Sequence, residues 1–421
     1  MPDNDPTTTV IPPAAHAWGP VTRALRLEAL FQQIAEEAPR RDVERDHPQD
    51  HIASLKQAGF GRLRLSTQQG GAGLALTELF AVVQDLARAD PNVAHAFRNH
   101  FFAVEEALRA PAEPLYARLL HEAIQGRTFG LGFGIAPVQR AGEVGEVNGV
   151  LNWDEGQGAY FGSGTKGYST GNLYADWLLG PAFAHREDRE GEKRTLVRYL
   201  VSTRAPGVDL TDDWSGFGQK LTGSGNTRFE RARIEASDVY PSPAAAEHNG
   251  TWLFTFHQIY LTTVIAGICR RVQTDAVDLL RRRNRNYYHG QAAQPRHEPV
   301  LQSHLGRLSA QAAAVEALVQ RAAQALEKAF DAYGTPEASD LTLNATFQAI
   351  EAKVMADTLA PQLAGSLLDL GSGSVVTMEG ALDRHWRNIK VIAAHNPRLY
   401  KERLLGDHLL NGALPPTGAY F

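Results

Sequence analysis

The chain has 421 residues, 43% of them hydrophobic and 21% charged, with 42 basic and 47 acidic side chains and a formal net charge of -5. That balance fits a globular chain with a large buried core and two or three domains, and it gives no support to nucleic-acid binding. The single cysteine, Cys269, excludes an intrachain disulfide and points to a reducing, cytoplasmic setting, and no apolar run approaches the roughly 20 residues that span a bilayer.

Residues 1–19 are rich in Pro, Thr and Ala, lack the basic start and apolar centre of a secretion signal, and read as a flexible tail. Residues 20–125 read as a helical domain. Leu25, Leu27, Leu30, Phe31 and Ile34 form an apolar stripe. Gly59 to Gly73 reads as turns, Thr77-Glu78-Leu79 opens a helix through Leu86, and Pro91 starts another that continues from Val93 to Leu108.

The period changes over residues 126–245. Thr128–Ile135, Tyr174–Ala182, Thr195–Ser202 and Thr227–Ile234 are short runs of β-branched, aromatic and leucine residues separated by Gly, Asn and Asp. They predict a small antiparallel sheet or barrel, with the charged stretch from Arg186 to Arg194 as a hairpin tip. Residues 246–421 return to helix. Leu305, Leu308, Ala312, Val315, Val319, Ala322, Leu326 and Ala329 recur at three- and four-residue steps, and Ala345–Leu370 and Val375–Ala394 do the same. Gly334-Thr335-Pro336 and Gly371–Ser374 are the links, and Gln291–Pro299 is a loop insertion. The expected class is mainly α with a central β-domain: an N-terminal helical domain, a β-sheet or barrel domain and a C-terminal four-helix bundle.

Chemistry concentrates near the C-terminus, in Arg384-His385-Trp386-Arg387-Asn388, His395-Asn396-Pro397 and Asn411-Gly412-Ala413-Leu414-Pro415-Pro416. Pro397 stops a helix just after His395, so an imidazole that titrates near neutral pH is placed at a helix end, where it can face a cleft. Three other patterns mimic sites. Glu44-Arg45-Asp46-His47 has di-iron spacing but no second copy, and no metal site is expected. Gly162 to Gly167 has the glycines of a dinucleotide loop without a following helix, and Gly167-Tyr168-Ser169-Thr170-Gly171 spells a nucleophile elbow inside a strand-and-turn region.

The order of helices, β-domain and bundle resembles the acyl-CoA dehydrogenase fold. Gly164-Thr165-Lys166-Gly167-Tyr168-Ser169-Thr170-Gly171 followed by Ala175-Asp176-Trp177 resembles that superfamily's flavin-contacting strand. The resemblance puts Thr170 near flavin N5, Tyr168 against one flavin face and Ser169 beside them. Asp213-Trp214-Ser215-Gly216-Phe217-Gly218-Gln219-Lys220, Thr222-Gly223-Ser224-Gly225 and the C-terminal motifs are similar to the branch typified by dibenzothiophene monooxygenase, over roughly residues 25–416. That branch uses reduced flavin and a separate reductase.

The resemblance implies catalytic roles for His100, His395 and Thr170. It implies flavin contacts for Tyr168, Ser169, Thr170, Ser224 and Arg285, the last reaching a neighbouring subunit's phosphate, and a pocket role for Trp214. Trp214 reads equally as core, Arg285 as a solvated helix end and His100 as a core-facing residue. A dehydrogenase needs a carboxylate base; here the matching stretches read His395-Asn396-Pro397-Arg398 and Tyr260-Leu261-Thr262-Thr263, and Gly134-Ile135-Ala136-Pro137 replaces the Thr-Glu-Pro loop. The branch's second histidine is Ile392. The implied function is oxygenation of a small apolar organosulfur, amine or aromatic substrate through a flavin C4a-(hydro)peroxide. The cofactor is reduced FMN, with FAD as the alternative, and the partners are O2, an NAD(P)H-dependent flavin reductase and three further copies in a homotetramer. The rivals are an FAD-dependent acyl-CoA dehydrogenase or oxidase with a relocated base, and a catalytically silent assembly component.

Overall fold

A computed structural model describes residues 17–136, 145–185, 194–243, 245–371 and 373–416. Most of the expected tail, nearly all of the expected hairpin tip and Pro137 lie outside the described residues.

Seven helices lead among the described residues: α1 (Pro20–Ala24), α2 (Glu28–Glu44), α3 (Gln49–Gln57), α4 (Leu76–Ala89), α5 (Pro91–Ala96), α6 (Arg98–Arg109) and α7 (Pro114–Ile124). The start of α5 is specified locally. Asp90 caps it by accepting the Asn92 N–H, and Pro91 occupies a position that needs no N–H. The expected continuous helix from Val93 to Leu108 is divided at Phe97, whose dihedrals (φ -82°, ψ -5°) nearly preserve the helical path. Residues of α5 and α6 therefore share faces.

Eight strands follow: β1 (Phe129–Leu131), β2 (Val150–Asp154), β3 (Ala159–Lys166), β4 (Trp177–His185), β5 (Thr195–Ser202), β6 (Val208–Leu210), β7 (Thr227–Glu235) and β8 (Val239–Pro241). The order is β6-β7-β3-β2-β4-β5-β8, with β1 also on β4. The sheet is mixed, where an all-antiparallel one was expected. Both β1 and β2 lie parallel to β4, with Phe129 opposite Trp177 and Leu151 opposite Ala184. A parallel pair cannot close through a tight hairpin, so each needs a long connection.

The C-terminal helices are α8 (Ala245–Arg282), α9 (Pro299–Asp331), α10 (Ala338–Asp369), α11 (Arg384–Ala393) and α12 (Arg398–Asn411). The expected helix over Val375–Ala394 forms only in its second half. Ala381 takes φ +47°, and Val376 and Met378 are exposed instead of forming a buried face. One stretch, Thr251–Arg282 in α8, is long and apolar enough to cross a bilayer, but 89% of its most apolar window is buried inside the protein. One core cluster runs through α2–α6 and α8–α11, with Phe80, Val83, Val264, Ile265, Leu308 and Leu363 among its members. The N-terminal helices and the bundle thus bury a common face.

The β-domain meets α5 through Gly171, in the turn after β3. Gly171 has φ +85°, and a Cβ there would sit 2.3 Å from the Ala96 carbonyl oxygen. Gly171→Ala is expected to lower unfolding free energy by at least about 1–2 kcal/mol, measured by urea unfolding; an unchanged midpoint would contradict this close packing.

Candidate functional site

The face of α5 and α6 that carries His95, Arg98, Asn99 and Phe102 has helical spacing i, i+3, i+4 and i+7, which brings four side chains to one side. The opposite side, with Phe97 and Phe101, packs on Phe60. Arg98 Nη1 lies 3.2 Å from His395 Nε2. A guanidinium can only donate, so Nε2 of His395 is an acceptor and the ring proton sits on Nδ1. Phe102 meets the His257 ring edge-on at 4.2 Å. The Arg98 charge also acts on His95 and His257, so three imidazoles feel one guanidinium.

The residue His395 is held in this place from several directions. Its N–H bonds the Ile392 carbonyl, and Lys353 donates to the Ala393 carbonyl at 3.2 Å. Asn396 donates to Gln258 Oε1 at 2.6 Å. His395 is an exposed residue, yet protein atoms crowd its imidazole. Crowding, then the nearby Arg98 charge, pushes its pKa well below 6.5. His257 is depressed by the same two causes. His95 falls to about 3, from burial first and Arg98 second. All three imidazoles are therefore neutral at neutral pH.

A second polar array borders the first. Gln219 Oε1 accepts from His95 Nδ1 at 2.8 Å, which leaves His95 Nε2 a bare acceptor. Thr222 Oγ1 donates to the Gln219 carbonyl, 2.9 Å. Its single proton is thereby used, so in the 2.6 Å contact between Thr222 and Ser224 the donor is Ser224, and in the 2.8 Å contact between Ser224 and Thr170 it is Thr170. The Thr170 hydroxyl oxygen is left with lone pairs to offer. Asn99 Nδ2 fixes the Thr170 carbonyl at 2.8 Å. Buried polar atoms without a protein partner gather along these arrays: His95 Nε2, Asn99 Oδ1, Gln219 Nε2 and His257 Nε2. Buried polar atoms are rarely left unpaired, so the group suits a polar, planar ligand.

Of the expected site residues, Thr170 and Ser224 are joined through the hydroxyl chain that ends at Gln219 and His95, His395 bonds Arg98 on the same helical face as His95, and Trp214 stands beside Gly218. Trp214 is half-buried and donates to the Gly218 carbonyl at 3.2 Å. Tyr168 is 78% exposed, has φ +51° and meets Trp214 edge-on at 6.0 Å. Ser169 spends its donors internally, Oγ on the Lys166 carbonyl and N–H on the Gly225 carbonyl. Arg285 is exposed in the loop after α8. Arg282, three residues before it, lies 25 residues beyond His257, on the order of 40 Å along the helix, so one chain does not bring Arg285 to the recess.

The structure does not bring His100 there either. Its Nε2 sits 2.7 Å from the Gly61 carbonyl, its ring stacks on Phe129 at 5.6 Å, and it borders a cavity of about 10 Å³ with Lys56 and Tyr174. His95, absent from the expected set, holds the facing position instead; the i, i+3, i+4, i+7 stripe was the available signal. Ile392 is buried in the main core. His47, of the di-iron lookalike, contacts the Tyr174 hydroxyl and Asp212, and no cluster of three or more metal-ligating side chains occurs among the described residues. Leu414–Pro416, from the last C-terminal motif, line a separate cavity of about 470 Å³ with Arg109, Trp252 and Tyr333.

Comparison with known proteins agrees with this architecture. The N-terminal domain pattern of acyl-CoA dehydrogenase matches residues 26–126, and the C-terminal domain pattern matches residues 259–397. A probable FMNH2-dependent monooxygenase, SfnC of Pseudomonas putida, is 26% identical over 395 residues, 93% of this chain and 95% of its own. The dibenzothiophene monooxygenase of Mycolicibacterium goodii is 24% identical over 382 residues, 86% of this chain and 88% of its own. The solved methanesulfinate monooxygenase MsuC of Pseudomonas fluorescens superimposes with a TM-score of 0.79 at 24% identity, covering 96% of this chain and all (100%) of its own.

The burial of His100 gives a pH prediction. Its pKa is pushed down to about 4, chiefly by burial. Below the ordinary value near 6.5 the unfolded chain takes up a proton that the folded chain refuses, so stability falls from there to about pH 4 and no further. The slope is about 1.4 kcal/mol per pH unit. His100→Gln is expected to remove that part of the acid sensitivity, seen by comparing urea unfolding at pH 7 and pH 4.5 with the parent protein. An identical pH slope in both proteins would contradict the placement.

Proposed function

The chain belongs to the acyl-CoA dehydrogenase family, and on that premise we propose that it is a flavin-dependent monooxygenase that uses reduced FMN supplied by a separate NAD(P)H-dependent flavin reductase. The observation that carries this reading is the neutral His395 imidazole, accepting from Arg98 at 3.2 Å, where a dehydrogenase needs a carboxylate. Among the described residues, no acidic group is among the charges acting on His95 or His257. The relative from Pseudomonas putida is named for FMNH2 dependence.

The chain's polar groups fit that cofactor. Thr170 Oγ, left as an acceptor by the hydroxyl chain, matches a ring N–H, which a reduced flavin has at N5 and an oxidised one lacks. The unpaired His95 Nε2 and Gln219 Nε2 supply an acceptor and a donor beside it. Tyr168 and Trp214 offer apolar faces, and Ser224 orients Thr170. When bound, reduced FMN would give two electrons to O2, with one oxygen atom entering the substrate and the other leaving as water. His395 would hold a proton at Nδ1 and accept at Nε2 only when Arg98 moves away, so it acts first as a donor. Phe102 and His257 narrow the recess against water. Arg285 would serve a neighbouring copy's cofactor phosphate within a homotetramer.

Reconstitution with FMN, NADH, a reductase and a panel of small organosulfur, amine and aromatic compounds tests the reading. Labelled oxygen from O2 should enter product. His395→Ala should lower turnover by about 10²-fold or more with FMN binding little changed. Thr170→Val should weaken binding of reduced FMN more than oxidised FMN. Tight FAD bleached by an acyl-CoA, with no oxygen incorporation, would overturn the proposal.

A further inference from the structure

A buried ion pair in α10 has no evident structural task. Lys353, 2% exposed, donates to Asp357 Oδ2 at 2.6 Å, and the two stand four residues apart on the same helix. A pair such as Arg198 with Glu106 joins β5 to α6, but this one joins no elements. Taking both charges out of water costs free energy that two apolar side chains would not. One bond does leave α10: Lys353 donates at 3.2 Å to the carbonyl of Ala393, the last residue of α11. The regular helical bond to that carbonyl would come from Pro397, which has no N–H. Two residues past Ala393 stands His395, whose own N–H turns back to the Ile392 carbonyl at 3.1 Å. On the far side of His395, Arg398 Nη1 donates to Thr358 Oγ1 at 2.7 Å, again on α10, and Asn396 bonds Gln258 of α8. One helix therefore grips the turn that carries the imidazole at both ends, and Lys353 is the grip on the entry side.

We propose that Lys353, aimed by Asp357, is a positioning residue: by capping the end of α11 it fixes where the His395 imidazole stands. The use made of His395 rests on the monooxygenase reading, whereas the restraint is a property of the folded chain. An ammonium on a four-carbon stem has many rotamers, and a carboxylate one turn along the same helix selects the one that reaches Ala393.

Lys353→Met combined with Asp357→Leu removes both charges at similar volume. Replacing a buried pair in this way is often neutral or stabilising, so the urea midpoint should hold or rise. The His395 ring should loosen all the same. Deuterium exchange at each imidazole C2–H, read by mass spectrometry on the full chain without cofactor, should rise severalfold at His395 and stay unchanged at His51 in α3 and His100 in α6. Lys353→Gln combined with Asp357→Leu keeps a donor for the Ala393 carbonyl and should restore part of the protection. For a panel compound that takes up labelled oxygen, kcat should fall about tenfold or more in the first double variant, with KM little changed. Unchanged exchange at His395 would overturn the proposal. So would a lower urea midpoint with exchange rising at all three histidines, because the pair would then serve the scaffold alone. Lys353→Met by itself is the second variant: burial already raises the Asp357 carboxyl, so without Lys353 it takes up a proton instead of standing as a bare charge. Failure of both variants to fold would also place the pair in the scaffold and overturn the proposal. The monooxygenase reading is scored separately: a loosened His395 in a protein that incorporates no oxygen sinks that reading alone, and full turnover with a loosened ring sinks the positioning role.

Discussion

The contact between Arg98 and His395 joins residues 297 positions apart and sets the state of the whole recess. The guanidinium fixes the tautomer by donating to one ring nitrogen, and the crowding of the ring first, with that charge second, keeps it neutral. The same charge reaches His95 and His257. Burial, reinforced by one buried cation, therefore keeps neutral three residues that would ordinarily titrate near neutrality. The arrangement depends on α5 and α6 reading as nearly one helix through Phe97, because only then do His95 and Arg98 share a face.

Buried carboxylates serve the frame instead. Glu105 pairs with Arg64, Glu106 with Arg198 and the Tyr116 hydroxyl, and Asp42 with Arg387. Asp275 accepts from His385 at 2.7 Å and pairs with Arg271, which ties α8 to α11. Losing one partner of such a pair leaves a buried charge uncompensated, so these acids are committed to holding helices together. The division of labour is sharp. Imidazoles gather near Arg98, while the carboxylates named here stitch the scaffold, and a base for removing a carbon-bound proton would have to be taken from the stitching.

Much of the fold was legible in the sequence because burial leaves a period. β5 and the bundle helices α9 and α10 carry apolar residues at their expected steps, and Thr195–Ser202 matches its strand end for end. β3 was obscured for a physical reason. The Phe133 ring lies over Gly162 and Gly164, where any Cβ would collide with it at 2.4 and 2.9 Å, so a strand was written in glycines. The edge strands β6 and β8 are three residues each, too short to show alternation. The site was half legible. Thr170 and His395 stood in recognisable motifs, but choosing between His95 and His100 needed the helical face, and proximity of His100 to two phenylalanines was the sign that it faces the core.

The residue Gln219 shows how these parts close into one unit. Its side chain holds His95, its carbonyl terminates the hydroxyl chain from Thr170, and its N–H donates to Asn388 of α11 at 2.6 Å. It adopts φ +51°, a costly backbone state for a residue with a Cβ. The neighbouring Gly218 explains the strain: a Cβ there would lie 2.4 Å from the Arg387 carbonyl oxygen, so the loop is pressed directly onto α11. Because α11 leads into His395, displacing this loop would shift the imidazole, the hydroxyl chain and His95 together. The strain at Gln219 is thus the cost of making an N-terminal helix, a β-domain loop and a C-terminal helix end move as a single body around the recess.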